Sequence, residues 1–181
     1  MNIDRYYGSN MNTEVIYMIG KKMLEALNKQ VNEELYSSYL YLAMSADFAD
    51  KNLEGFASWL RIQAKEEVAH AMKIYGHIQE RGGKVILDAV GKPPHIWKTA
   101  EKAFQDAYDH ERHITARINE LMELAVKEKD YPTIVMLQWF VKEQVEEEAS
   151  AEAVLNKIKL LGEEGRHLYI LDREMGKREK D

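Results

Sequence analysis

Four long segments of this chain repeat apolar residues every three or four positions, the spacing of one face of an α-helix. The segments are rich in Ala, Leu, Glu, Lys, Gln and Met, which favour helix. The pattern predicts helices at about 13–48, 53–82, 99–127 and 132–161, and a short fifth helix at about 165–178. A chain with four such segments must bury four apolar faces, and it can do so by packing them around one core.

The connections between the segments are unequal in length. Only a few residues join the first segment to the second and the third to the fourth, which predicts two antiparallel hairpins. The connection over 82–98 contains a Gly-Gly and a Pro-Pro pair, and at ~3.3 Å per extended residue it can run the length of a helix. The sequence therefore predicts an all-α, up-down-down-up four-helix bundle with one long crossover. Residues 13–178 form its single domain, and 1–12 are predicted to be a frayed extension.

Each apolar stripe becomes polar near its middle, where a glutamate stands at a core position. These residues are Glu34, Glu67, Glu111 and Glu147. A buried carboxylate must be paired, protonated or bound to a metal ion, and Lys and Arg fall mostly on the other faces. Four inward carboxylates would repel one another strongly, so a pair of divalent cations balances them better than a single ion.

The second stripe also contains a histidine. Glu67 and His70 are spaced i, i+3 and share one helix face. The fourth helix does not repeat this motif, since Ser150 stands three residues after Glu147. The chain has no cysteine, which excludes thiolate metal sites and leaves carboxylate and imidazole as ligands.

Bulk properties exclude other classes of protein. The net charge of −6 argues against nucleic acid as a partner. No apolar run approaches the roughly 18 residues of a membrane span. The first residues lack the basic start and apolar stretch of a signal peptide, so a cytoplasmic location is expected.

With these residues in place, the chain resembles a prokaryotic (bacterial or archaeal) non-haem ferritin. The resemblance covers about residues 12–176 and rests on ELYSS at 34–38 followed by Tyr41, KEEVAH at 65–70, DHE at 109–111 and LQWFVKEQVEEE at 137–148. It implies the ferritin-like bundle, oxidation of Fe(II) by O₂ or peroxide, and storage of hydrated ferric oxide. It also implies that the subunits assemble into a hollow 24-subunit shell.

The resemblance further implies a role for individual residues. Glu34, Glu67 and His70 would hold the first iron, Glu67 would bridge, and Glu111 and Glu147 would complete the second site with Gln144 beside them. A nearby third iron site would use Glu66, Glu143, Glu146 and Glu147. Tyr41 would lie next to the pair in a redox or site-tuning role, and Trp139 would lie near it. The missing second Glu-x-x-His motif separates the chain from bacterioferritins and rubrerythrins, and no haem is expected.

Two alternatives remain open on sequence alone. The chain could be a di-iron oxidase or oxygenase that acts on an organic substrate, or a structural bundle whose inward polar residues specify register. Among the other histidines, His77 lies on the stripe and is predicted to be buried and hydrogen-bonded. His110 and His113 flank Glu111 and are predicted to lie on the surface.

Overall fold

The computed structural model describes residues 18–178, which form five α-helices and no strand. The helices are α1 (Lys21–Asp50), α2 (Glu54–Glu80), α3 (Ala100–Glu128), α4 (Tyr131–Leu161) and α5 (Gly165–Met175). The all-α prediction, with four long helices and a short fifth, is confirmed. No helix within residues 18–178 is long and apolar enough to cross a membrane.

Local sequence explains where the later helices begin and end. The side chain of Thr99 accepts a hydrogen bond from the backbone N–H of Lys102 at the start of α3. Asp130 does the same for Thr133 at the start of α4, where Pro132 fills a position that needs no N–H donor. Gly162 ends α4 with a φ of 73°, a conformation that glycine adopts without strain.

The crossover over 81–99 runs along the whole length of α1. The Asn28 side chain accepts from the N–H of Ile86, Gly91 lies beside Tyr36, and the N–H of Trp97 donates to Asp47 near the end of α1. The crossover thus returns the chain to the end where α2 began. Because α3 starts there, it runs parallel to α2, which is the predicted up-down-down-up order.

Two predicted helix boundaries are wrong. The first helix was predicted to begin at about 13, but residues 18–20 are not helical and α1 begins at Lys21. Residues 13–17 and the predicted extension at 1–12 lie outside the described part of the chain. The N–H of Ile19 donates to the carbonyl of Arg81, so the segment 18–20 is tied to the end of α2 instead of continuing the helix. The fifth helix ends at Met175, where Gly176 closes its last turn, and not at 178.

The core consists of two apolar clusters with a polar layer between them. One cluster contains Phe48, Phe56 and Phe104, with Phe48 and Phe56 stacked at 5.0 Å between ring centroids. The other contains Leu27 and Phe140 at the opposite end of the bundle. On each of the four long helices, a buried glutamate occupies the turns between the two clusters: Glu34, Glu67, Glu111 and Glu147. The interruption of the stripes seen in the sequence is therefore one continuous layer in space.

The short helix α5 closes one end of the bundle by close backbone contact with the start of α2. A Cβ atom built on Gly55 would lie 1.6 Å from the carbonyl oxygen of Asp172. The side chain of Asp172 accepts from the N–H of Phe56 at 3.0 Å, which satisfies one of the free donors at the start of α2. Only glycine at position 55 allows this approach.

Replacing Gly55 by alanine is expected to displace α5 from the bundle, whereas Gly76→Ala, in the same helix, meets nothing within 4 Å. Gly76→Ala should stabilise the protein by about 0.5–1 kcal/mol, because alanine favours helix over glycine. Gly55→Ala should lower the unfolding midpoint and expose residues 165–178 to protease. Equal protease resistance of the two variants would contradict the close approach.

Candidate metal centre

The polar layer places all five predicted core ligands inside the bundle. Glu34, Glu67, His70, Glu111 and Glu147 are each less than one-tenth exposed. One comes from α1, two from α2, one from α3 and one from α4. The layer therefore exists only when all four long helices are packed together.

Three of these side chains bring ligand atoms to one point. One ligand atom each of Glu34, Glu67 and His70 lies within 4.8 Å of the other two. Within residues 18–178, Glu34 Oε2 and His70 Nδ1 are buried and make no hydrogen bond, although His70 Nδ1 lies 3.3 Å from Glu67 Oε2. Buried polar atoms without partners are rare and costly. Two carboxylates and an imidazole are suitable ligands for a divalent transition metal.

Glu111 and Glu147 face this group from the other two helices, and neighbouring side chains hold them. The Tyr41 hydroxyl donates to Glu111 Oε1, and Gln144 Nε2 donates to Glu111 Oε2 at 3.3 Å. Gln63 Nε2 donates to Glu147 Oε2. The predicted neighbours Tyr41 and Gln144 therefore contact Glu111 directly.

The residues predicted for a third site are only partly brought together. Glu143 is half-buried, and its ligand atoms lie within 4.8 Å of those of His70 and Glu147. Glu66 instead forms an ion pair with Arg178 at 2.6 Å, and the exposed Glu146 lies 3.6 Å from Lys142. Among the described residues, neither Glu66 nor Glu146 joins a group of three close His, Asp or Glu ligands.

Burial makes these carboxyl groups hold protons near neutral pH. Desolvation, reinforced by the charge of Glu67, raises the pKa of Glu34 to about 8. Desolvation likewise raises the pKa of Glu111 and of Glu147 to about 7 and raises the pKa of Glu67 well above its usual value. Without a cation, the layer cannot carry four negative charges at neutral pH.

Two predictions about histidines have different outcomes. His77 is buried and lies 2.9 Å from the Thr133 hydroxyl, as expected. His113 is exposed, but His110 is only partly exposed: its Nε2 lies 2.7 Å from Ser37 Oγ, and partial burial, with the charge of His113, lowers its pKa to about 4. The prediction assumed that only the apolar stripe of each helix is covered by its neighbours. In the structure α1 also covers His110, which lies beside the stripe of α3.

Two arginines, Arg117 and Arg178, and two glutamines, Gln30 and Gln63, contact the polar layer without having been predicted from the sequence. Gln30 is fully buried and donates to Glu34 Oε1 at 2.9 Å. Its position, four residues before Glu34, was a usable signal, since i and i+4 share a face. Arg117 and Arg178 had no such signal, because each contacts the layer from a helix or segment distant in sequence.

Comparison with known proteins agrees with this geometry. Residues 24–161 match the family described as the ferritin-like domain. The chain belongs to the ferritin family. A bacterial non-haem ferritin of Staphylococcus aureus is 40% identical over 164 residues, covering 91% of this chain and 99% of the relative. A probable bacterial non-haem ferritin-like protein of Haemophilus influenzae is 38% identical over 159 residues, covering 88% and 96%.

A solved ferritin structure is also similar over nearly its whole length. The open-pore ferritin of the hyperthermophilic archaeon Archaeoglobus fulgidus superposes with a TM-score of 0.88 at 50% identity, covering 89% of this ferritin and 99% of the other chain. The resemblance to prokaryotic non-haem ferritins is thereby confirmed. The match includes the five-helix architecture that creates the polar layer.

Binding of Zn(II), which does not change oxidation state, is expected to release protons from this ferritin at about pH 6.5 and fewer at about pH 8.5. Carboxyl groups with pKa values raised to about 7 and 8 hold protons at the lower pH and must lose them to bind a cation. Metal affinity should therefore rise with pH across this interval. Calorimetry in buffers of different ionisation enthalpy counts the protons.

The matched control for this titration is Glu34→Gln. This substitution removes one carboxyl group with a raised pKa and hardly changes side-chain volume. The variant should therefore release fewer protons than the unsubstituted protein at the lower pH. Equal proton release at both pH values in the unsubstituted protein would show that the buried carboxyl groups are not the zinc ligands.

Proposed function

We propose that this chain is a ferroxidase subunit of a cytoplasmic iron-storage ferritin. It binds two Fe(II) ions as substrate in the polar layer, oxidises them with O₂ or peroxide, and passes Fe(III) to a hydrated oxide inside a hollow shell. The main support is the pair of buried, unpartnered atoms, Glu34 Oε2 and His70 Nδ1, beside Glu67. A purely structural polar layer would be expected to satisfy these atoms internally.

The proposed ligands divide between two ions. Glu34 and His70 hold the first ion, Glu111 and Glu147 hold the second, and Glu67 bridges them. Each Fe(II) supplies one electron, so the pair together can convert O₂ and two protons to hydrogen peroxide. Gln144 orients Glu111 or a water molecule, and Tyr41 tunes Glu111 through its hydroxyl group.

The ligand chemistry suits transfer of iron as well as its oxidation. Carboxylate oxygens are hard ligands and stabilise Fe(III) more than Fe(II). One imidazole is the only nitrogen ligand of the five, so the site does not trap the product ion strongly. Glu143, whose ligand atoms lie near those of Glu147 and His70, would accept an ion leaving the pair. Glu66, once released from Arg178, and Glu146, once released from Lys142, would complete a third site.

Assembly with further copies of the same chain is the second part of the proposal. Large apolar side chains such as Tyr39, Met72 and Val135 are more than half exposed on the isolated subunit. Exposed apolar residues on several faces favour burial against symmetry-related copies. A hollow shell of such copies would enclose the mineral.

Iron loading combined with particle size tests the function. Aerobic addition of excess Fe(II), followed by size-exclusion chromatography and iron analysis, should give a large particle holding far more iron than two ions per subunit. About two ions per subunit, with no mineral, would instead indicate a di-iron oxidase acting on another substrate. No bound iron would indicate a structural bundle. A stable monomer would contradict storage.

Glu67→Gln is expected to reduce the fast phase of Fe(II) oxidation at least about tenfold, since both ions lose a shared carboxylate ligand. Glu66→Gln should leave that phase nearly unchanged, because the Glu66 side chain is rotated about 100° around α2 from that of Glu67 and faces Arg178. Both changes preserve side-chain volume. Stopped-flow absorbance after addition of two Fe(II) per subunit measures the fast phase. Equal fast phases in the unsubstituted protein and Glu67→Gln would refute the bridging role.

A further inference from the structure

Two arginines each contact the carboxylate layer through a glutamine. Arg117 Nε donates to Gln30 Oε1 at 3.0 Å, and Gln30 Nε2 donates to Glu34 Oε1 at 2.9 Å. Arg178 Nη1 donates to Gln63 Oε1 at 2.8 Å, and Gln63 Nε2 donates to Glu147 Oε2. Glu34 and Glu147 are thus held by the same arrangement of groups.

The arginine in each arrangement determines which way the amide faces. A glutamine side chain has one acceptor oxygen and one donor NH₂ group. If an arginine occupies the oxygen, the NH₂ group must point the other way, toward the carboxylate. Without the arginine the glutamine amide can rotate by about 180° and place its oxygen next to the carboxylate. The two oxygen groups would then repel each other.

Each arginine also lies near a second carboxylate: Arg117 Nη1 is 3.6 Å from Glu33 Oε1, whereas Arg178 contacts a residue of the proposed third site. Arg178 follows the end of α5 and lies along one stripe of α2, with its guanidinium 4.6 Å from the Trp59 ring centre. Its Nη2 donates to Glu66 Oε2 at 2.6 Å while its Nη1 holds Gln63. One guanidinium therefore contacts both the glutamine that orients Glu147 and a carboxylate of the proposed third site.

We propose that Arg178 is a positioning residue that orders metal filling: it holds Glu147 ready for the second ion and keeps Glu66 from a third ion until the arginine is displaced. This inference rests on the proposed function of the same layer. A cation at Glu66 must compete with a guanidinium already bound to the same carboxylate. The Glu66–Arg178 pair is partly exposed, so the competition is modest and reversible.

Titration with Co(II) or Zn(II) under anaerobic conditions tests the proposal without any turnover. Arg178→Gln should bind the second ion roughly tenfold more weakly, since a group that orients a ligand is lost. The same variant should bind the third ion a few-fold more tightly, roughly the strength of a partly exposed ion pair. A general loss of structure would weaken every site, so opposite changes at two sites distinguish positioning from a structural role.

Lys177→Gln is the matched control, because it removes the same charge from the adjacent, exposed position. It should titrate like the unsubstituted protein. The double variant Arg178→Gln with Glu66→Gln should lose the third ion and retain the weakened second site. A chain shortened to end at Lys177 should behave as Arg178→Gln, and circular dichroism and thermal unfolding establish that each variant is folded.

Failure of this inference is distinguishable from failure of the proposed function. If the unsubstituted protein binds two ions and Arg178→Gln titrates identically, or loses affinity for all ions equally, the role of Arg178 is refuted and the metal centre stands. If the unsubstituted protein binds no ion in the layer, the proposed function fails and this inference fails with it.

Discussion

Four glutamates lose their contact with water at the centre of the bundle, and both the packing around them and the chemistry of the candidate metal centre follow from that burial. Each carboxyl group costs free energy to bury as an anion, and together the four repel one another. The raised pKa values of Glu34, Glu111 and Glu147 express that cost as protons retained near neutral pH. Cations can replace those protons, so the same burial that destabilises the fold without a cation is expected to favour binding of cations in the proposed metal centre.

The helical framework makes this burial tolerable. An apolar cluster on each side of the layer, one around Phe48 and Phe56 and the other around Leu27 and Phe140, supplies the hydrophobic stabilisation that the polar layer cannot. The long crossover brings α3 parallel to α2, so that two hairpins contribute ligands at the same height. The proposed ligands come from four packed helices, so their relative positions are fixed. Displacement of any one helix would remove at least one of them from the layer.

Around the ligands, neutral amides separate the carboxylates from the nearest arginines. A guanidinium in direct contact with Glu34 or Glu147 would neutralise a ligand that a metal needs. Gln30 and Gln63 transmit the orienting effect of Arg117 and Arg178 while leaving the carboxylates free to bind. Glu66, in contrast, meets Arg178 directly, which sets it apart from the central ligands.

The helical repeat within each segment was enough to predict four long helices and the burial of Glu34, Glu67, His70, Glu111 and Glu147. The unequal lengths of the connections were enough to predict the order of the bundle. The start of α1, the partial burial of His110 and the contacts of Arg117 and Arg178 emerged from the packing of the helices. The packing also pairs Glu66 with Arg178 and brings Glu143, but not Glu146, into a group with Glu147 and His70. These depend on contacts between helices or segments far apart in the chain or on the width of a helix interface, which no spacing within one segment encodes.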